Sequence, residues 1–135
     1  MKRTIELENM IEQDENTLGS IRLNTKSGKI LLDNLIKENG YTNSKIGNDL
    51  GISNYIYEIT SLKNNKQVSR NILLAILIYI GADLDTIDEI LQLFGYSKIY
   101  VKVEYDAYLY HCINSKFSFE QTNVFLIENG LAPLL

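Results

Sequence analysis

The residues Lys45-Ile46-Gly47-Asn48-Asp49-Leu50-Gly51-Ile52-Ser53 decide the fold of this chain. They predict a short helix that stops at Gly51, because glycine accepts the positive φ that such a stop requires. Gly47 leaves room for a second helix to cross the first one closely, and Ile46 and Ile52 are expected to seal the underside. This spacing is typical of two short helices joined by a tight turn, a helix-turn-helix.

Helices are predicted on both sides of this stretch, and most of them stop at glycine or asparagine. The predicted spans are 27–39, 42–50, 53–62, 69–80, 83–94, 106–115 and 118–129. Residues 5–15 are helix-permissive, and residues 16–26 are predicted to be a connector. Residues 98–105 alternate apolar and polar side chains, which leaves a strand and an extended connector equally open. No internal repeat is expected.

The composition favours an all-α fold in a single folded unit. The chain has 135 residues, of which 45% are hydrophobic, and it contains one proline. The single cysteine cannot form an internal disulfide, and the first residues lack the apolar run of a signal peptide. The longest apolar run, residues 72–80, is too short to cross a bilayer. We therefore expect a cytoplasmic protein that is not embedded in a membrane.

The helix predicted after the turn begins with polar residues that could contact base edges in a DNA groove. Its outward positions are expected to be Ser53, Asn54, Tyr55 and Glu58, followed by Ser61 or Leu62. Ile56 and Ile59 are expected to face inward. Tyr55 and Tyr57 are not expected to point outward together, so one of them is predicted to be in the core.

A basic run follows this helix. Lys63, Lys66 and Arg70 come after Leu62 without an intervening acid. Lysine and arginine at such a place could contact phosphates, or they could simply lie in a solvated loop.

The net charge of −4 opposes DNA binding, but the charge is unevenly distributed. Residues 27–82 carry a net charge of +2, residues 83–135 carry −5 and residues 1–26 carry −1. The weakly positive segment is the one that contains the predicted helix-turn-helix. This polarity suits a DNA-binding core followed by an acidic extension.

Residues 30–80 resemble the Cro/C1 repressor-like (XRE) helix-turn-helix family, with residues 45–53 as the closest match. The remainder is similar to a Firmicute-type subgroup of that family with a helical C-terminal extension. The matching residues are Ser69-Arg70, Leu73-Leu74-Ala75, Gly81, Leu84, Leu91, Gly95-Tyr96, Tyr100, Asp106-Ala107, Ser118, Asn123, Leu126, Gly130 and Pro133-Leu134.

The resemblance implies a lambda-repressor-like helix-turn-helix bundle that binds double-stranded DNA as a homodimer. By position, it implies base-reading roles for Ser53, Asn54, Tyr55 and Glu58, and phosphate contacts for Thr42, Ser44, Lys45, Lys63 and Lys66. The chain then divides into an N-terminal helix and connector (1–26), a DNA-binding core (27–82) and a C-terminal extension (83–135) for dimerisation or partner binding.

No catalytic residue, cofactor site or metal site is expected. His111 and Cys112 lack a second histidine or cysteine, so both are expected to serve packing. The acidic residues after Gly81 lack the spacing of a calcium loop. We therefore expect a transcriptional regulator and not an enzyme. The alternative is an inhibitor or adaptor of bacterial or phage origin, which would bind a protein partner through the acidic C-terminal half.

Overall fold

The computed structural model describes residues 14–63 and 67–135, with side chains described from residue 24 onward. These residues form seven helices and no strand, which confirms the all-α prediction. The helices are α1 (Asp14–Glu38), α2 (Asn43–Leu50), α3 (Ile56–Thr60), α4 (Arg70–Tyr79), α5 (Leu84–Leu93), α6 (Glu104–Asn114) and α7 (Phe119–Glu128).

Helix α1 is longer than the sequence predicted. It has 25 residues and includes residues 16–26, so the predicted connector is wrong. This stretch is polar but contains no proline, and its one glycine, Gly19, costs a helix only about 1 kcal/mol. The helix predicted at 5–15 lies almost wholly outside the described residues. The C-terminal end agrees with the prediction, because Gly40 follows the helix at φ 78°.

Helices α1 and α5 meet at Gly28. A Cβ atom there would lie 2.8 Å from Cε1 of Phe94 and 3.1 Å from Cβ of Leu93, so a larger residue would push the two helices apart. Phe94 is buried by this contact. The close approach of α1 and α5 therefore depends on the absence of a side chain at position 28.

Helix α4 lies at the centre of the molecule. Its residues Leu73 to Ile78 are all buried, as expected for a helix that is apolar on every side. The surrounding helices and the turn between α2 and α3 contribute the other fully buried side chains, which include Leu32, Ile36, Ile46, Ile52, Ile56, Ile87, Ile90, Leu91, Leu109 and Leu126.

Residues 98–103 form a connector between α5 and α6. No residue of 98–105 is in a strand: residues 98–103 form the connector that was one of the two open alternatives, and residues 104 and 105 already belong to α6. Asp106 holds this connector against the start of α6, because one of its carboxylate oxygens accepts a 2.9 Å hydrogen bond from the Tyr100 backbone N–H.

The second half of the chain contains an internal repeat that the sequence prediction missed. Residues 70–99 form a first hairpin, built from α4 and α5, and residues 105–134 form a second hairpin, built from α6 and α7. The turn glycines Gly95 and Gly130, at φ 87° and 76°, occupy corresponding places 35 positions apart. Gly81 and Lys116, at φ 78° and 56°, correspond at the same shift.

Both hairpins are closed by the same hydrogen bonds. Asp88 Oδ1 accepts from the Ile99 N–H at 2.9 Å, and Asn123 Oδ1 accepts from the Leu134 N–H at 2.8 Å. In each case the donor follows the acceptor by 11 residues. In each hairpin, a polar side chain of the second helix therefore fixes the segment that follows that helix.

A second pair of contacts repeats this pattern. Arg70 Nη2 donates to the Ser97 carbonyl at 3.4 Å, and the Tyr105 hydroxyl donates to the Ala132 carbonyl at 2.9 Å. Each contact spans 27 residues. The buried positions also correspond, in the pairs Leu74 and Leu109, Leu77 and Cys112, Ile87 and Thr122, and Leu91 and Leu126.

None of the helices in the described ranges is both long enough and apolar enough to cross a membrane.

Candidate nucleic-acid interface

Helices α2 and α3 are joined by a tight turn at Gly51. Gly51 has φ 72°, and the Ile52 N–H donates to the Gly47 carbonyl at 2.8 Å. A Cβ at Gly47 would lie 3.0 Å from the Ser53 Cα and 3.1 Å from Ile56 Cγ2. The close crossing expected from the two glycines is confirmed.

The residues predicted to begin the second helix lie in the turn before it. Helix α3 has five residues, so the predicted span 53–62 is too long. Ser53, Asn54 and Tyr55 are exposed in this turn. The Ser53 hydroxyl donates to Asn48 Oδ1 at 3.0 Å, whereas the Asn54 side chain makes no hydrogen bond within the described part of the chain.

Tyr55 and Tyr57 are both exposed, at 38% and 60%, so the prediction that one of them is in the core is wrong. Tyr55 precedes the helix and therefore does not follow its periodicity. Ile56 and Ile59 provide the buried face, as predicted. Glu58 is exposed on α3, and Tyr55 and Glu58 line a shallow groove of about 110 Å³ together with Gln67.

The N-terminus of α2 carries three of the predicted phosphate contacts. The Thr42 hydroxyl caps the helix by accepting the Lys45 N–H at 3.1 Å, while Ser44 and Lys45 are exposed. Thr42 and Ser44 line a groove of about 280 Å³ with Tyr57 and Lys37. The structure thus brings the start of α2 and an exposed tyrosine of α3 to one place.

Lys45 is held by an ion pair on its own helix. Its Nζ lies 3.3 Å from Asp49 Oδ2, and both side chains are largely exposed. Asp49 also accepts a short hydrogen bond from the Tyr79 hydroxyl, which lowers the pKa of this carboxylate. Burial and the bond to Asp49 raise the pKa of Tyr79 to about 12. Asp49 therefore links α2 to the central helix.

Lys29 contributes nothing to a basic surface, because it is 2% exposed. Its Nζ donates to the Ser61 carbonyl at 2.9 Å and to the Glu58 carbonyl at 3.3 Å. Burial lowers the pKa of Lys29, and the charge of Glu58 partly opposes that effect. The ammonium group thus satisfies carbonyls that the short helix α3 leaves without an intrahelical partner.

Arg70 does not lie free on the surface as its predicted phosphate role requires. Its guanidinium forms a bidentate ion pair with Asp106, with N–O distances of 3.0 and 2.9 Å. It also donates to the carbonyls of Ser97 and Lys98. The bidentate geometry and the low exposure of Asp106 fix Arg70 in the contact between the two hairpins, which corrects its assignment.

The basic run after α3 is described only in part. Lys63 is exposed, and its side chain makes no ion pair with any described residue. Lys66 lies outside the described residues. Lys37, a further base of this segment, pairs with Asp33 at 2.8 Å. The net charge of +2 therefore overstates the basic surface that is free for a ligand.

His111 and Cys112 belong to the packing of the second hairpin, as expected. The His111 ring stacks on Phe125 with centroids 5.1 Å apart and meets the edge of Phe117. Cys112 is fully buried, and burial raises the pKa of its thiol. No group of three metal-binding side chains occurs among the described residues.

Two residues near this site were missed by the sequence prediction. Residues 43–62 are called the α2–α3 unit, and Tyr57 is the most exposed large apolar side chain in it. Asn43 donates to the Thr60 hydroxyl at 3.3 Å, and its Oδ1 is buried without a partner among the described residues. In a longer helix, a tyrosine next to buried isoleucines would be expected in the core. The exposure of Tyr57 could have been predicted only if the sequence had shown how short α3 is.

Comparisons of the chain with protein-family models, with curated proteins and with solved structures found no match.

Proposed function

We propose that this chain is a DNA-binding transcriptional regulator that binds its operator as a dimer. The observation that carries the proposal is the exposed head of α3. The tight turn at Gly51 presents Ser53, Asn54 and Tyr55 together, directly before a helix whose inward face is buried. A polar cluster at the start of a short helix is suited to contact base edges in the major groove.

Asn54 is the residue we assign to a direct base contact. Its carboxamide has both a donor and an acceptor, and neither is used within the described part of the chain. An asparagine can bind adenine in a bidentate manner through the N6 and N7 atoms. Tyr55 and Glu58 flank this position, and Ser53 is held toward α2 by its bond to Asn48.

Phosphate contacts are assigned to Thr42, Ser44, Lys45 and Lys63. The backbone N–H groups at the start of α2 favour an anion there. The pair between Lys45 and Asp49 is exposed, and such pairs contribute at most about 1 kcal/mol, so Lys45 can exchange its partner for a phosphate.

The dimer is assigned to the connector between the two hairpins. Tyr100, Val101 and Val103 are all exposed there, and they form an apolar surface outside the core. Two half-sites would raise the affinity of a core that offers few free bases.

The test is a titration of the full chain with duplex DNA from the region upstream of its own gene, at several salt concentrations. We expect Asn54→Ala to weaken cognate binding by about 1 to 3 kcal/mol and binding to random DNA much less. The matched control is Asn114→Ala, which removes an exposed asparagine of the second hairpin. Equal loss on both DNAs would assign Asn54 to a phosphate contact and contradict base reading.

The phosphate assignment is tested in the same titration. Lys63→Ala should weaken binding to all sequences alike and reduce the salt slope by about one unit, because one phosphate contact is lost. Lys116→Ala, which removes an exposed lysine in the turn between α6 and α7, should leave the slope unchanged. Identical slopes for wild type and Lys63→Ala would remove Lys63 from the interface.

A protein-binding module is the second candidate function. The observation in its favour is that the bases Lys29, Lys37, Lys45 and Arg70 all have partners within the chain. The exposed side chains of Tyr57 and Leu62 give the surface of the α2–α3 unit an apolar character. If the full chain binds no DNA at low salt, this candidate replaces the first.

A further inference from the structure

The outward face of α7 differs from its counterpart in the first hairpin. Val124 and Ile127 are 52% and 58% exposed. At the same shift of 35 positions, the first hairpin has Glu89 and Gln92, which are also exposed. The fold therefore accepts polar residues at these two places, and its own stability does not explain the apolar ones.

Val124 borders a groove, and Ile127 lies on the same helix three residues further on. A cavity of about 360 Å³ is lined by Phe117, Val124 and Phe125, together with Glu120, Gln121 and Glu128. The volume is enough for a bulky apolar side chain. We name this set of residues, with Ile127, the α7 face.

The charges around the α7 face indicate what it binds. Glu120 and Glu128 are exposed and lie one at each end of the helix, and residues 83–135 carry a net charge of −5. A second copy placed on this face by a two-fold axis would bring four carboxylates together, which is unfavourable. A ligand with basic residues around an apolar anchor would complement both the groove and its rim.

We propose that the α7 face is a docking site for an amphipathic helix of another protein, one that inserts apolar side chains into the groove and places lysine or arginine beside Glu120 and Glu128. This proposal does not depend on DNA binding by the α2–α3 unit. It uses a helix-in-groove contact whose specificity comes from the apolar anchor and whose attraction comes from the charged rim.

The probe for the test is a synthetic amphipathic helix with leucine on one face and lysine on the other, labelled for fluorescence anisotropy. A matched peptide has glutamate in place of lysine. The full chain is expected to bind the lysine peptide with a salt-dependent Kd and not to bind the glutamate peptide. Failure to bind the lysine peptide would overturn the proposal.

The variants follow from the comparison of the hairpins. Val124→Gln combined with Ile127→Gln should raise the Kd for the lysine peptide at least about tenfold, because two apolar contacts are lost. The double variant should keep the helical circular dichroism of the wild type, since the first hairpin folds with polar residues there. Glu120→Gln combined with Glu128→Gln should weaken binding about threefold and reduce its salt dependence.

The control variant is Ile30→Gln, which removes an exposed apolar side chain of α1 outside the α7 face. It should change the Kd less than about twofold. If the control weakens binding as much as the α7 variant, the peptide binds without using the α7 face. Sedimentation of the same proteins adds a second criterion: if wild type is dimeric and the α7 variant monomeric, the occupant is a second copy and the proposal is wrong.

Discussion

The first and second hairpins are closed by hydrogen bonds at corresponding positions, but they differ in which helices cover them. The first hairpin is contacted by α1 through Gly28 and Phe94 and by both helices of the second hairpin. The second hairpin packs on the first with one side, and its outer side remains open among the described residues. The comparison teaches that the two hairpins have the closing hydrogen bonds and the buried positions in common, whereas their outward side chains follow what surrounds each hairpin.

The position after α5 shows this dependence. Phe94 is buried under α1, and its counterpart Asn129, which no helix covers, is exposed. At that position the covered residue is apolar and the uncovered one is polar. Val124 and Ile127 are the opposite case, because they are apolar although no described helix covers them. This reversal is the reason for assigning a ligand to the α7 face.

Of the changes that compare the two hairpins, removal of the Asp106 carboxylate should lower the free energy of unfolding most. Asp106→Ala leaves the Arg70 guanidinium and the Tyr100 N–H without their acceptor, so we expect a loss of about 3 to 5 kcal/mol in the free energy of unfolding. Tyr105→Phe, which removes the corresponding closing bond of the second hairpin, should cost about 1 kcal/mol. Urea unfolding followed by circular dichroism measures both. Equal losses would mean that the ion pair is no more than an ordinary closing bond.

Truncation of the corresponding leucines tests the difference in coverage. Leu91 and Leu126 are both fully buried. Leu91→Ala should cost about 3 to 4 kcal/mol and Leu126→Ala about 2 to 3 kcal/mol, because the open side of the second hairpin can relax around the cavity. Thermal and urea unfolding of the two variants provide the comparison. A larger loss for Leu126 would show that the second hairpin is as tightly enclosed as the first.

The smallest expected effect concerns the turn between the helices of each hairpin. Lys116 has φ 56°, a conformation that favours glycine, and its counterpart is Gly81. Lys116→Gly should raise the free energy of unfolding by about 0.5 to 1 kcal/mol. The reverse change, Gly81→Lys, should lower it by a similar amount, since a Cβ there meets nothing within 4 Å and only the backbone is strained. If both changes are destabilising, the side chain of Lys116 makes a contact that outweighs its backbone cost.

The sequence predicted most helix ends within two residues, except the starts of α1 and α3, because the signals at those ends are local. The stop at Gly51 appears in the structure, and the helices predicted at 42–50 and 118–129 begin next to the capping residues Thr42 and Ser118. The polar stretch 16–26 misled the prediction, since polarity alone does not interrupt a helix. The repeat was missed because most corresponding residues differ, as Gly81 and Lys116 do.

The candidate site was predictable only where it depends on local geometry. The exposure of Asn54 follows from the turn at Gly51, and the sequence indicated it. The pairing of Arg70 with Asp106 joins residues 36 positions apart, and such a contact leaves no periodic signal in the sequence. The same is true of Lys29, whose partners are backbone carbonyls that no residue pattern reveals.

The buried amine of Lys29 also makes it a sensor of local opening. An acylating reagent cannot reach it while α1 lies against α3, and once it is uncovered the burial that lowers its pKa is gone, so it reacts as an ordinary lysine. Exposed Lys63 and Lys102 should be modified at once, whereas Lys29 should react only as fast as α1 separates from α3. An acylated Lys29 can no longer return as a charged donor to the carbonyls of Glu58 and Ser61. The modification would therefore accumulate the separated state, and at reagent concentrations at which acylation is faster than reclosing its time course would give the rate at which the two helices part.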